Sequence, residues 1–445
     1  MCDVERIARR SLSWQSGADA PDRLASADRQ EVASEDATGF FSNLGKAARC
    51  RKVNPGPHRK KVLFSFGTRP EAIKLGILHR TMEQQPELFD VRCAVSGQHR
   101  DLLDQALDVF SIRPDHDLRV MTANQELSTL SGRIVAGMGE VIRAECPDVV
   151  IVQGDTTTAL AAALAAFYSR IPVAHVEAGL RTPDPNEPYP EQMNRLLITR
   201  LSSIHFAPTQ HARNNLTAEG VDQSAVHVSG NTVVDALQYI LGRHTGRVRI
   251  PEVITDAAAR RPIVLVTVHR RENHGEPLRR ICSAIHRLTQ SADVQVVVCL
   301  HPNPNVNLPI KRALSGFERI TLVEPLDYIS FLSLLSLASL VLSDSGGIQE
   351  EAPSLGTPVL VLRRTTERPE AVASGWARLV GPDEDVIIES ALEYLDGRWS
   401  IPSACTNPFG DGSACERIAA VLGEPIGMPA RDLTPTMHST VLESA

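Results

Sequence analysis

Residues 149–177 read VVIVQGDTTTALAAALAAFYSRIPVAHVE. The stretch holds an unbroken apolar run, Val149–Gln153, then a polar turn, Gly154-Asp155-Thr156-Thr157-Thr158. An alanine-rich helical segment, Ala159–Tyr168, leads to a second apolar run, Val173–Glu177. Two such runs joined through a helix make a βαβ unit, and its strands are parallel. Apolar runs without polar alternation suit strands that are covered on both faces.

The same alternation extends in both directions. Lys61–Phe66 and Val91–Ser96 precede the unit, with helical Arg100–Val109 after them, and His205–Pro208 and Val226–Ser229 follow it. A second series runs through Ile263–Val268, Val294–Leu300, Ile320–Val323, Leu340–Ser343 and Val359–Leu362. The fold class is therefore α/β, with two Rossmann-like, doubly wound parallel-sheet domains joined near 230–262. The expected boundaries are 59–230 and 231–413.

Composition narrows the function. The 445 residues carry 46 Lys+Arg against 53 Asp+Glu, a net charge of −7, which excludes a generic nucleic-acid binder. The longest apolar run, Phe331–Leu342, is broken by serines and falls short of the roughly 20 residues of a membrane span. Eight scattered cysteines without a CxxC pair predict reduced thiols in a cytoplasmic protein, with no disulfide framework and no zinc site. Residues 1–58 mix charges without an apolar period, and 425–445 are similar. Both are expected to be disordered extensions.

Parallel sheets place ligand sites beyond the carboxyl ends of their strands, and the unusual residues of this chain lie there. Gly67-Thr68-Arg69-Pro70-Glu71 precedes a helix expected near Ala72. Arg69 and Lys74 offer cations to an anion, although an ordinary strand-to-helix turn reads the same way. Asp344-Ser345-Gly346-Gly347 opens a helix expected over 348–355, and its small residues leave room for a phosphate. Glu350 and Glu351 either accept hydrogen bonds from sugar hydroxyls or merely complement the helix start.

Asp155, Glu177 and Glu191 fall on successive strand-to-helix connections, where like charges in one cleft raise one another's pKa and suit proton transfer. Asp155 alone would read equally as a helix cap, and His175 as a core histidine. His269, with Arg270 and Arg271, and His301 end two strands of the second series and suit a leaving diphosphate. No HExxH or dinucleotide fingerprint is present, so neither a metal nor a cofactor is expected.

Taken together the motifs identify a family. They are GTRPEAIK (67–74), GQHR (97–100), QGDTTT (153–158), HVEAGLRT (175–182), PEQMNR (190–195), GNTVVD (230–235), TVHRREN (267–273), DSGGIQEE (344–351) and TERPE (366–370). In this order they closely resemble the non-hydrolysing UDP-N-acetylglucosamine 2-epimerases, from about Lys60 to Leu422. The resemblance implies a glycosyltransferase-B-type fold with the site in a cleft between the domains, and a last helix (414–422) crossing back to the first domain. It implies a homodimer, and acid–base catalysis by Asp155, Glu177, Glu191 and His269. It further implies a UDP-sugar held by Arg69, Lys74, Arg195, His301, Ser345, Gly346, Gly347, Glu351 and Arg368.

Gln98 and His99 resemble the segment that binds a second UDP-N-acetylglucosamine as activator in bacterial members. Arg364 stands where members usually carry an acidic residue, and Leu75-Gly76-Ile77 replaces a Met-Ala-Pro-like stretch. A related UDP-2-acetamido sugar therefore stays open as substrate, as does a glycosyltransferase on the same fold.

Overall fold

The computed structural model describes residues 59–97, 100–120, 122, 125–184, 186–243, 250–401 and 406–424. The expectations for 1–58, for 425–445 and for Gln98 and His99 lie outside these residues. Seven parallel strands form the first sheet: β1 (Lys60–Phe66), β2 (Phe89–Val95), β3 (His116–Asp117), β4 (Val149–Gln153), β5 (Val173–Val176), β6 (Ile204–Ala207) and β7 (Val226–Val228). Six form the second: β8 (Ile263–Thr267), β9 (Gln295–Cys299), β10 (Ile320–Val323), β11 (Ala338–Ser343), β12 (Val359–Val361) and β13 (Ala377–Leu379). The short strands β3 (His-Asp) and β13 (Ala-Arg-Leu) carry no apolar run and were not visible in the apolar pattern.

The strand orders are 3-2-1-4-5-6-7 and 10-9-8-11-12-13. Each is the doubly wound order, which reverses direction once, between β1 and β4 in one sheet and between β8 and β11 in the other. Ligands bind such sheets at that reversal, because connections leave the two strands on opposite faces and open a crevice. The strand order alone therefore points to the loops after β1, β4, β8 and β11.

Local sequence explains the elements. All of β4 is buried, as its continuous apolar run requires. The helix Thr157–Tyr168 is capped by Thr156, whose hydroxyl accepts from the Ala159 N–H at 3.0 Å. Its buried alanines let it pack closely on the helix Leu127–Glu145, against Leu130, Ile134 and Met138. The first helix begins at Arg69 rather than near Ala72, since Pro70 is tolerated in a first turn where no N–H is needed. The helix after Ser345 is α over Gly346–Glu351 and 3-10 over Ala352–Leu355.

Helix Thr232–Arg243 packs on the helix Arg69–Glu83, and the last helix, Ala414–Gly423, packs on both. Asp235 caps that last helix, accepting from the Ala414 N–H (3.2 Å) and the Cys415 N–H (2.8 Å). Cys93, Cys282, Cys299 and Cys415 are free thiols, whereas Cys146 departs from the expected reduced state and is disulfide-bonded.

Gly67 is required by close approach. A Cβ there would lie 2.0 Å from Ser96 Oγ and 2.5 Å from Thr158 Oγ1, two buried hydroxyls joined by a 2.9 Å hydrogen bond. Gly67→Ala is expected to destabilise the fold by about 1–3 kcal/mol, the usual cost of overpacking. The shift in the urea midpoint measures it, and an unchanged midpoint would contradict the reading.

Candidate active site

Parallel register brings the signalled residues together in pairs. Gln153 lies opposite Val176, so the Gly154–Asp155 turn and Glu177 leave adjacent strands at the same level. Thr267 lies opposite both Ser343 and Cys299, so His269 stands beside Asp344 on one side and His301 on the other. The imidazoles of His269 and His301 stack with centroids 5.7 Å apart.

Asp344 is fully buried and organises the loop after β8. Its carboxylate accepts from the backbone N–H groups of His269 (3.1 Å) and Arg270 (3.0 Å) and from Asn273 Nδ2 (2.9 Å). It also pairs with His269 Nδ1 at 3.1 Å. These donors outweigh its burial and hold its pKa below the ordinary value. With Nδ1 engaged, His269 presents Nε2, and its side chain is 35% exposed. The sequence reading took Asp344 only as the start of a glycine turn. Its strand-end position was visible, but the register that aims it at His269 was not.

On the first sheet, Asp155 is 23% exposed and pairs through Oδ2 with Arg195 at 2.5 Å. Asn194 Nδ2 donates to the Asp155 carbonyl at 2.8 Å, so the helix Glu191–Leu201 fixes the Asp155 turn from below. Glu191 opens that helix one turn before Arg195 and so shares its face. Its side chain makes no hydrogen bond or ion pair among the described residues. His175 is buried, bonds the Gly154 carbonyl at 2.7 Å and has its pKa pushed down to about 3 by burial, so it is a neutral core histidine.

Glu71 fastens the first motif to the Asp155 loop. It accepts from the N–H groups of Gly67 (3.0 Å) and Thr68 (2.8 Å) and from Thr156 Oγ1 (2.6 Å). The Thr68 contact is one half of a capping box. Burial pushes its pKa up to about 7. Arg69 lies near His301, whose pKa is lowered by burial, by His269 and, further down, by Arg69 itself. Glu351 accepts from the Tyr328 hydroxyl at 2.8 Å, and burial pushes its pKa up to about 7.

The two sheets' loops meet through buried charge. Glu177 sits in the left-handed region (φ +64°), an uncommon place for a non-glycine residue and one often found at functional sites. Its Oε2 bonds Lys74 Nζ and accepts from Gln153 Nε2 (2.6 Å), while its Oε1 is 3.5 Å from Arg368 Nη2. Lys74 Nζ also reaches Glu350 Oε2 at 2.8 Å, and Arg368 Nε reaches Glu350 Oε1 at 2.8 Å. Burial, followed by the neighbouring Glu350, raises the Glu177 pKa against the pull of Lys74.

Arg368 continues to Glu367, which Arg363 also contacts (2.7 Å), with Arg195 3.9 Å and Arg270 3.6 Å away. These arginines, Arg368 foremost, overcome burial and hold Glu367 well below the carboxylate range. Gly346 makes room for this arrangement, because a Cβ there would lie 2.4 Å from Arg368 Nη1. Gly347 faces open space, with its nearest atom, Ser345 Oγ, at 3.9 Å. Glu350, read from the sequence as an acceptor for sugar hydroxyls or a complement to the helix start, is committed to Lys74 and Arg368. Glu367 was not among the sequence candidates, and only the packing of the loops reveals it.

Two Rossmann-like sheets of this order, with their carboxyl-end loops facing each other, define a glycosyltransferase-B-type α/β protein. The family follows from comparison with known proteins. The chain belongs to the UDP-N-acetylglucosamine 2-epimerase family, whose model matches residues 80–423. It is 46% identical over 369 residues to the UDP-N-acetylglucosamine 2-epimerase of Salmonella typhimurium, covering 81% of this chain and 98% of that one. It is 44% identical over 373 residues to the Campylobacter jejuni enzyme, covering 82% and 97%.

Among solved structures, the Neisseria meningitidis UDP-GlcNAc 2-epimerase bound to UDP-GlcNAc is 43% identical with a TM-score of 0.75, covering 81% of this chain and 99% of that one. The Methanocaldococcus jannaschii enzyme, in complex with UDP-GlcNAc and UDP, is 35% identical with a TM-score of 0.72 and the same coverage. Among the described residues, no helix is long and apolar enough to cross a membrane.

Proposed function

We propose that the protein interconverts UDP-N-acetylglucosamine and its manno epimer. Elimination of UDP across carbons 1 and 2 gives 2-acetamidoglucal, and re-addition with the proton on the other face inverts carbon 2. The carbon-2 proton is a weak acid, so loss of a good leaving group must accompany its removal. Acid–base groups are then needed on both faces, and cations at the departing diphosphate. Asp155, Glu177 and Glu191 supply the first. Arg69, His269, His301 and the Ser345-Gly346-Gly347 turn supply the second, with Glu351 and Arg195 completing the UDP-sugar site.

Asp344 acts through His269 by holding Nδ1. Lys74 and Arg368 act through the carboxylates they bind. The observation that carries this reading is that Asp155 lies at the reversal of one sheet, with Glu177 at the end of the adjacent strand, while the Asp344–His269 pair lies at the reversal of the other.

The chain reads as two lobes. Helices Thr232–Arg243 and Ala414–Gly423 belong to the lobe of β1–β7, because they pack on the helix Arg69–Glu83. Homodimer formation is supported by Phe167 (56% exposed) and Tyr168 (68%) on one helix and Leu197 (45%) on its neighbour, and sedimentation would report the mass. The activator role of Gln98 and His99 and the cytoplasmic location rest on the sequence reading alone.

Proton NMR of UDP-N-acetylglucosamine with the enzyme in D₂O tests the reaction. The manno isomer should accumulate with deuterium at carbon 2. Epimer that retains its proton would overturn the mechanism. No epimer in the absence of an acceptor would favour a glycosyltransferase.

A further inference from the structure

Glu177, Lys74, Glu350 and Arg368 form a closed ring of alternating charge. Lys74 Nζ touches Oε2 of both carboxylates, and Arg368 reaches Oε1 of both, at 2.8 Å for Glu350 and 3.5 Å for Glu177. Glu177 and Lys74 come from connections of the first sheet, and Glu350 and Arg368 from connections of the second. Glu350 has a side chain with no exposure, and both its oxygens are committed to the ring. Its complete burial keeps it out of reach of a ligand.

We propose that Glu350 is a positioning residue for Glu177: by sharing Lys74 and Arg368 with it across the two sheets, it makes the readiness of Glu177 to hold a proton depend on the docking of one lobe against the other. This rests on the reading of Glu177 as a proton carrier. The groups that face Glu177 are Lys74 from the first helix, Gln153 from β4, Glu350 from the helix Gly346–Glu351, and Arg368, which is backed by Glu367. Glu350 is the nearby like charge on the opposite side of the ring. It repels a second negative charge, and it also draws both cations away from Glu177. Both effects favour the protonated form of Glu177. Separation of the lobes would remove Glu350 and Arg368 together, leaving Glu177 to Lys74 and Gln153.

The test is the pH dependence of kcat for UDP-N-acetylglucosamine with Glu350→Gln in the full chain. Without the Glu350 charge, Glu177 holds its proton less tightly. The limb of the profile that reports Glu177 should then move to lower pH by about one unit, the scale of one close charge. kcat near neutrality should fall about tenfold, and KM should change less than about threefold. Glu350→Asp keeps the charge but shortens the reach, and should move the same limb in the same direction by less. It decides the matter should Glu350→Gln fail to fold.

An unmoved limb in the variants that fold overturns the proposal, as does a raised KM with kcat and limb unchanged, which would make Glu350 a binding residue. The underlying reading fails separately. If Glu177→Gln keeps full activity, Glu177 carries no proton. If Glu177→Gln is inactive while Glu350→Gln leaves the limb in place, Glu177 keeps its role and only the coupling is lost.

Discussion

Glu177→Gln is expected to lower kcat by about 10²-fold or more, the usual contribution of one acid–base group. Two properties set Glu177 apart from the other carboxylates. It is held at a left-handed backbone position, which aims its side chain at the meeting of the sheets, and it is the only one of the three proposed proton carriers that the ring surrounds. The amide is nearly isosteric, so lost packing would not explain the fall. It would, however, leave Lys74 and Arg368 with one carboxylate fewer, so a modest loss of stability should accompany the loss of rate. Deuterium entry at carbon 2, followed at saturating substrate, separates the two effects. Asp155→Asn and Glu191→Gln should produce falls of similar order. Near-wild-type exchange in all three variants would remove the carboxylates from the mechanism.

The second large effect concerns the fold. Arg368→Met is expected to cost about 3–5 kcal/mol, because removing one partner of a buried ion pair leaves charge uncompensated in a poorly solvating interior. Glu350 and Glu367 have side chains with no exposure, and both contact Arg368. The surface pair Arg398–Asp396, separated by 3.2 Å with both side chains about 60% exposed, is the control. Arg398→Met should change stability by no more than about 1 kcal/mol, since water solvates both charges and the pair contributes little. Urea denaturation of both variants makes the comparison. If Arg368→Met unfolds no earlier than Arg398→Met, the buried ring is not holding the two sheets' loops together.

Much of this was legible in the residues. The apolar runs located β1, β2, β4–β12 to within two residues at each end, because strands buried on both faces must be continuously apolar. Strands β3 (His-Asp) and β13 (Ala-Arg-Leu) escaped because charged residues leave them no apolar run. The first helix starts three residues before the expected Ala72, because Pro70 is compatible with a first turn. Asp155, Glu177, His269 and the Ser345 turn were visible through strand-end position, since a parallel sheet collects its chemistry at one edge.

The order of residues along the chain thus determined two doubly wound sheets, their ligand edges and the set of titratable groups at those edges. Which of those groups touch was decided only in three dimensions. Strand register set His269 against Asp344, and the meeting of the two sheets joined Lys74 to Glu350 and Glu177 to Arg368, residues 276 and 191 positions apart. A periodicity reports the environment of one element. A contact between loops of different sheets depends on how those sheets pack, and that geometry leaves no local trace in the sequence.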